Sequence, residues 1–158
     1  MCGSLHGNVG LLLEGGGMRC AYTSGVLDYF IEEGITFPVI SAASAGALIG
    51  IYYVSEQPGS VAQLLNQLNE YRNFISFRRF IKQRELFEMD YMFNKVPNEI
   101  IPLDYDAFSK SNSKFVIGTT DMETAETLYF DHYDNKEDLL KIVRASSSLP
   151  VLSGSVIF

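Results

Sequence analysis

Residues 38–50 constrain this chain more than any other stretch. Pro38-Val39-Ile40-Ser41 is a short apolar run, Ala42-Ala43-Ser44-Ala45-Gly46 is a run of small residues, and almost everything from there to Val54 is apolar. β-Branched residues directly after a proline predict a strand start. The apolar segment 45–54 predicts a helix buried on most of its sides. A serine between small residues at such a strand-to-helix turn is a nucleophile-elbow arrangement: the backbone bends sharply and the hydroxyl is pushed out. The helix start beside Ser44 adds free N–H groups and a positive dipole end. In the usual G-x-S-x-G pattern both outer positions are glycine; here they are Ala42 and Gly46. Small-residue junctions are also common packing devices, so this motif by itself leaves both readings open.

A second stretch narrows the choice. Val9-Gly10-Leu11-Leu12-Leu13 reads as a buried strand and residues 21–33 as a helix, with Glu14-Gly15-Gly16-Gly17-Met18-Arg19-Cys20 between them. Three consecutive glycines leave backbone N–H groups bare, so the turn can cradle an anion such as a phosphate or a developing oxyanion. In parallel strands the glycine turn and the Ser44 turn fall at the same sheet edge, within reach of one substrate.

Three stretches together resemble the patatin-like phospholipases: Gly15-Gly16-Gly17-Met18-Arg19, Ala42-Ala43-Ser44-Ala45-Gly46, and Arg144-Ala145-Ser146-Ser147-Ser148-Leu149-Pro150. Asp121-Met122-Glu123-Thr124 is similar to a segment of bacterial members. The resemblance runs in order from residue 9 to the last residue. It implies one domain with a layered α/β/α fold, a largely parallel sheet, and a lipid acyl hydrolase with a Ser–Asp dyad. Ser44 takes the nucleophile position, Gly15, Gly16 and Gly17 the oxyanion loop, and Arg19 the basic position after it. The substrate class implied is a lipid or small acyl ester, with no cofactor and no metal.

Two departures stand out. Ala42 adds a methyl where the family elbow has glycine. The Asp-Gly-Gly or Asp-Gly-Ala segment that carries the family's catalytic aspartate does not follow Pro150. The chain is therefore expected to be the N-terminal part of a longer domain whose base lies beyond Phe158. The rival expectation is a catalytically inactive binding or assembly module derived from a truncated hydrolase. Unpaired strand edges and the apolar end Val156-Ile157-Phe158 predict a two-fold homodimer through the C-terminal segment.

The rest of the chain fits an α/β order. Strands are expected at 39–41, 114–118 and 128–130. Helices are expected from Ser60, as a cap, and over 135–143, and Gly34 is expected to end the first helix. Pro97 and Pro102 predict a loop. The formal net charge of −7 argues against nucleic acid as a partner. Against that balance, residues 72–87 are basic: Arg72, Arg78, Arg79, Lys82 and Arg84 interleave with Phe74, Ile75, Phe77, Phe80 and Ile81. This segment can lie against anionic lipid, as a peripheral membrane contact, or can be a surface helix whose arginines pair with carboxylates.

Other chemistry is poorly supported. No apolar run reaches the roughly 18 residues that span a bilayer. The start of the chain lacks the regions of a signal peptide, and two cysteines form no disulfide framework, which fits a cytoplasmic setting. Cys20 is expected to be an inert packing thiol. His6 and His132, the two histidines, read as surface residues, which disfavours a Ser-His-Asp triad. Two histidines and two scattered cysteines give no metal-ligand spacing. Asp121 follows a strand end, where a base could sit, but the resemblance makes it scaffold. Gly15-x-Gly17-x-x-Cys20 only half matches a dinucleotide fingerprint.

Overall fold

A computed structural model describes residues 9–71, 74–83, 85–150 and 152–157. His6, Cys2, Arg72 and Arg84 lie outside the described residues. Four strands form one sheet in the order β1 (Gly10–Leu13), β2 (Val39–Ala43), β3 (Lys114–Thr120) and β4 (Thr127–Phe130). The first three are parallel and β4 is antiparallel to β3. The fold is thus the expected α/β arrangement with a mostly parallel sheet.

The register sets where the turns fall. Leu13 lies beside Ala42, and Ala42 beside Ile117. The turns that leave β1, β2 and β3 therefore share one edge of the sheet. β4 runs back, and Phe130 pairs with Ile117, so residues 131–134 lie at the opposite edge. An ion pair from Lys114, at the start of β3, to Asp131 ties that far edge together.

Alternation along the strands separates two faces. Leu13, Ile40, Ala42, Phe115 and Ile117 are buried beneath helices. Helix α2 (Ala45–Val54) lies across β1 and β2, and every residue from Gly46 to Val54 is buried, as an apolar helix with no polar face requires. Helix α1 (Cys20–Glu32) packs on α2, and α3 (Ser60–Glu70) packs on both. Helix α6 (Lys136–Ser147) packs against β3 and α2. Leu12, Val39 and Tyr129, on the other face, are exposed. The second helical layer of an α/β/α sandwich is not found among the described residues.

Local expectations fared unevenly. Gly34 does cap the end of α1, and Ile35 N–H reaches back to the Phe30 carbonyl at 2.8 Å. Ser60 does not cap α3; Gly59 does, in a left-handed conformation, while its own N–H donates to Asp28. The loop expected around Pro97 is instead a π-helix over Tyr91–Ile100 with Pro97 buried inside it. Proline removes a donor from an α-helical ladder, whereas here Ile101 N–H spans five residues to the Val96 carbonyl at 2.8 Å. Two short helices had no clear periodicity in sequence, α4 (Phe77–Gln83) and α5 (Tyr105–Lys110). Asp104 caps α5 by accepting from the Ala107 N–H. Asn135 caps α6 in the same way, accepting from Asp138 N–H. That helix runs four residues beyond its expected end, and those residues reach the candidate site.

Candidate active site

The site is built on the turn between β2 and α2. Ser44 adopts φ 53° and ψ −129°, a conformation that side chains rarely take. It serves as the helix cap: Ala47 and Leu48 N–H both donate to its carbonyl, at 2.9 and 3.2 Å. The strained turn is held from two sides. Beneath it, Gly46 passes so close to the end of β1 that a methyl there would stand 2.3 Å from the Leu13 carbonyl oxygen. Beside it, Ser44 N–H donates to Ser146 Oγ at 2.8 Å, and the Ser146 hydroxyl donates on to the Gly118 carbonyl at 2.6 Å. One serine at the end of α6 thus ties the elbow to β3.

The glycine turn lies against this elbow. A methyl on Gly15 would be 3.0 Å from Ser44 Cβ and 3.6 Å from Ser44 Oγ. Gly17 takes φ 54° and opens a 3-10 turn over Gly17–Arg19, closed by Arg19 N–H on the Gly16 carbonyl at 3.2 Å. That positive φ is one glycine tolerates without strain. Among the described residues, no acceptor takes the N–H groups of Gly15, Gly16 or Gly17. Bare donors beside a serine hydroxyl are the arrangement that an oxyanion needs.

Ser44 and Gly17 both open on an apolar cleft of about 280 Å³. One wall is Leu48, Ile49, Val61, Leu64, Leu65 and Leu68, from α2 and α3. The other is Phe74, Phe87, Met89, Met92 and Phe93. Met18 and Leu149 also line it and are exposed, so they form its rim. Ser147 lines it too, and its buried hydroxyl has no partner among the described residues. A concave, mostly apolar cavity with a few polar groups at one end is the usual form of a small-molecule site.

The remaining residues singled out in sequence fall as follows. Ala42 is 2% exposed and packs in the core beneath the elbow, so its methyl is accommodated. Arg19 is exposed and folds back over Gly16; it does not line the cleft. Cys20 lines the cleft, buried, with its thiol near the Glu14 carbonyl. Burial pushes that thiol's pKa up, partly opposed by the charge of Arg19. His132 is exposed at the far edge of the sheet, beside Asp134. Asp121 shares the edge of Ser44 but is occupied in a turn, where Thr124 and Glu123 N–H groups hold its carboxylate below the ordinary range. Among the described residues, none that lines the cleft is Asp, Glu or His.

Ser146 and Ser147 were missed as individual site residues. The helical period of 135–143 was readable, but nothing local says that the helix continues through two serines to reach a turn 102 residues away.

Residues 11–158 match the family model of the patatin-like phospholipases. The chain belongs to that family. A protein of Escherichia coli (strain K12) described as "Uncharacterized protein YjjU" is 28% identical over 148 residues. The match covers 91% of this chain and 41% of that relative, so the chain spans less than half of the relative's length. Family membership supports a lipid-hydrolase kind of function.

Proposed function

We propose that this chain carries the nucleophile and oxyanion side of a serine acyl hydrolase for lipid or small acyl esters. Ser44 Oγ attacks the ester carbonyl, the N–H groups around Gly16 and Gly17 receive the oxyanion, and the acyl chain lies in the apolar cleft. The observation that carries this reading is the strained Ser44 at the mouth of that cleft, packed so close to the glycine turn that a methyl on Gly15 would stand 3.6 Å from its hydroxyl. Strain at one serine is maintained only where the surroundings over-determine it. The first step forms the bond from Oγ to the acyl carbon. The hydroxyl proton must then pass to a base, and the alcohol leaves with a proton. The reading assigns that base to an aspartate of the family's downstream segment, which these 158 residues do not contain.

A fluorophosphonate probe tests the reading on the protein, with a Ser44→Ala variant as control. Labelling at Ser44 is expected, slow in this chain because general-base help is typically worth ~10²–10⁴ in rate. Short-chain ester turnover should rise by a similar factor in a longer protein that includes the aspartate. Identical turnover by that longer protein and its Ser44→Ala variant would overturn the reading.

One observation favours a second reading, a non-enzymatic binding module: among the described residues, no Asp, Glu or His lines the cleft. In that case fatty acids should bind the cleft while the longer protein stays unlabelled by the probe.

A further inference from the structure

Helix α4 shows large apolar and basic side chains together on the surface of this acidic chain. Phe77 and Ile81 are 74% and 80% exposed, and Ile75, just before the helix, is 54% exposed. Phe77 and Ile81 are four residues apart and so share a face. Arg78 and Lys82, also four apart, form the adjoining face, and both are exposed. Arg79 is different: it turns inward to pair with Glu88, which also accepts from the Tyr71 hydroxyl. No ion pair holds Arg78 or Lys82 among the described residues. A helix that merely covered the core would turn Phe77 and Ile81 inward.

The helix is also tied to the mouth of the cleft. Ile75 and Phe87 pair as an antiparallel bridge, and Ser76 N–H donates to the Leu86 carbonyl at 3.0 Å. Leu86 N–H in turn donates to the Leu152 carbonyl at 2.7 Å, in the turn that begins with rim residue Leu149. Phe74 and Phe87, at the root of α4, pack with tilted rings 5.7 Å apart and line the cleft itself. The exposed apolar face, the exposed Arg78 and Lys82, and the lining of the cleft are therefore carried by segments bonded to one another.

We propose that α4 is an interfacial docking element: Phe77, Ile81 and Ile75 enter the headgroup layer of a bilayer, while Arg78 and Lys82 contact its anionic lipids. The occupant is a lipid surface rather than a protein groove because the apolar side chains project outward beside unpaired cations. Overall net charge is −7, so attraction to anionic lipid has to come from a local patch such as this one. No helix among the described residues is long and apolar enough to cross a membrane, so the contact is peripheral. The inference rests on the cleft being an acyl-ester site. It says how the substrate reaches that site, directly from the bilayer past Met18 and Leu149.

Flotation of the Ser44→Ala protein with vesicles tests it without any turnover. Vesicles of phosphatidylcholine alone are compared with vesicles containing phosphatidylglycerol. Binding is expected to favour the anionic vesicles and to weaken with salt. The pair Arg78→Gln and Lys82→Gln should lower affinity for the anionic vesicles roughly thirty-fold, each basic residue near such a surface contributing a factor of about five. The pair Phe77→Ser and Ile81→Ser should abolish binding to both kinds. All four positions are exposed, so unchanged circular dichroism is expected and serves as the folding control. Equal binding by the variants, or no flotation at all, would overturn the proposal. So would sedimentation showing that Phe77→Ser dissolves a dimer while vesicle binding persists. Hydrolysis of a soluble short-chain ester is read separately, so a failure of docking is distinguishable from a failure of the hydrolase reading.

Discussion

The two sides of the cleft are made in different ways. At the Ser44 end, the parts that matter are backbone atoms: the Leu13 and Gly118 carbonyls, the N–H of Ser44, and a glycine turn. At Gly46 the contacts leave no room for a methyl. Across the cleft, Phe74, Phe87, Met89 and Met92 meet through flexible or planar side chains, and the segment ends in a helix whose apolar face is bare. Backbone contacts fix the position of one atom to a fraction of an ångström, as bond-making requires. Side-chain packing fixes only shape and polarity, which suffices for an acyl chain. The first kind of wall should be fragile to single atoms, and the second sensitive only to volume and surface character.

Gly46→Ala probes this contrast most severely. Its methyl would stand 2.3 Å from the Leu13 oxygen and 2.6 Å from the Glu14 oxygen, both backbone atoms that cannot rotate away. Overpacking against side chains costs about 1–3 kcal/mol, and a clash with backbone exceeds that. A loss above about 3 kcal/mol is expected from urea or guanidinium unfolding. Phe87→Leu on the opposite wall should cost less than Gly46→Ala, because side chains around it can repack. Equal losses would show that the two walls are not different in kind.

The same contrast explains what could be read from the chain before its fold was known. The elbow and glycine turn were legible because small residues in fixed order are a local signal. Helix α2 was legible to the residue, since a ten-residue apolar run has few other options. The opposite wall was not legible. Its aromatic and basic residues carry no periodicity, and Pro97 read as a stop where a π-helix passes through it. The basic patch left two outcomes open, and the fold divides it: Arg79 pairs with Glu88, while among the described residues no ion pair holds Arg78 or Lys82. Ser146 was invisible as a site residue because its partners, Ser44 and Gly118, are distant in sequence and meet it only through sheet register.

Ser146→Ala is the next largest expected effect. It leaves the Ser44 N–H and the Gly118 carbonyl without their shared partner, for about 1–3 kcal/mol. Its neighbour supplies the control. The Ser147 hydroxyl is buried without a partner among the described residues, so Ser147→Ala removes an unmet group and should be neutral or slightly stabilising. Probe labelling at Ser44 should fall in the first variant and persist in the second. If both variants lose stability alike, the end of α6 matters only as packing, and Ser146 has no special hold on the elbow.

Ser44→Gly has a smaller expected effect on stability than Ser146→Ala, and its sign is the informative part. A non-glycine residue in this φ, ψ region is strained by about 1–3 kcal/mol. Glycine releases that strain, but it loses more backbone freedom on folding, which offsets roughly 0.5–1 kcal/mol. The net is a gain of about 1 kcal/mol. Ser44→Ala retains the Cβ and should show no such gain. Both variants lose the nucleophile, so both should escape the fluorophosphonate probe. Denaturation midpoints for the three proteins then separate strain from chemistry: glycine above serine, alanine level with serine. A glycine variant less stable than the serine protein would mean that the turn holds Ser44 at no cost. The geometric argument for a primed nucleophile would then fail, even with Ser44 at the mouth of an apolar cleft.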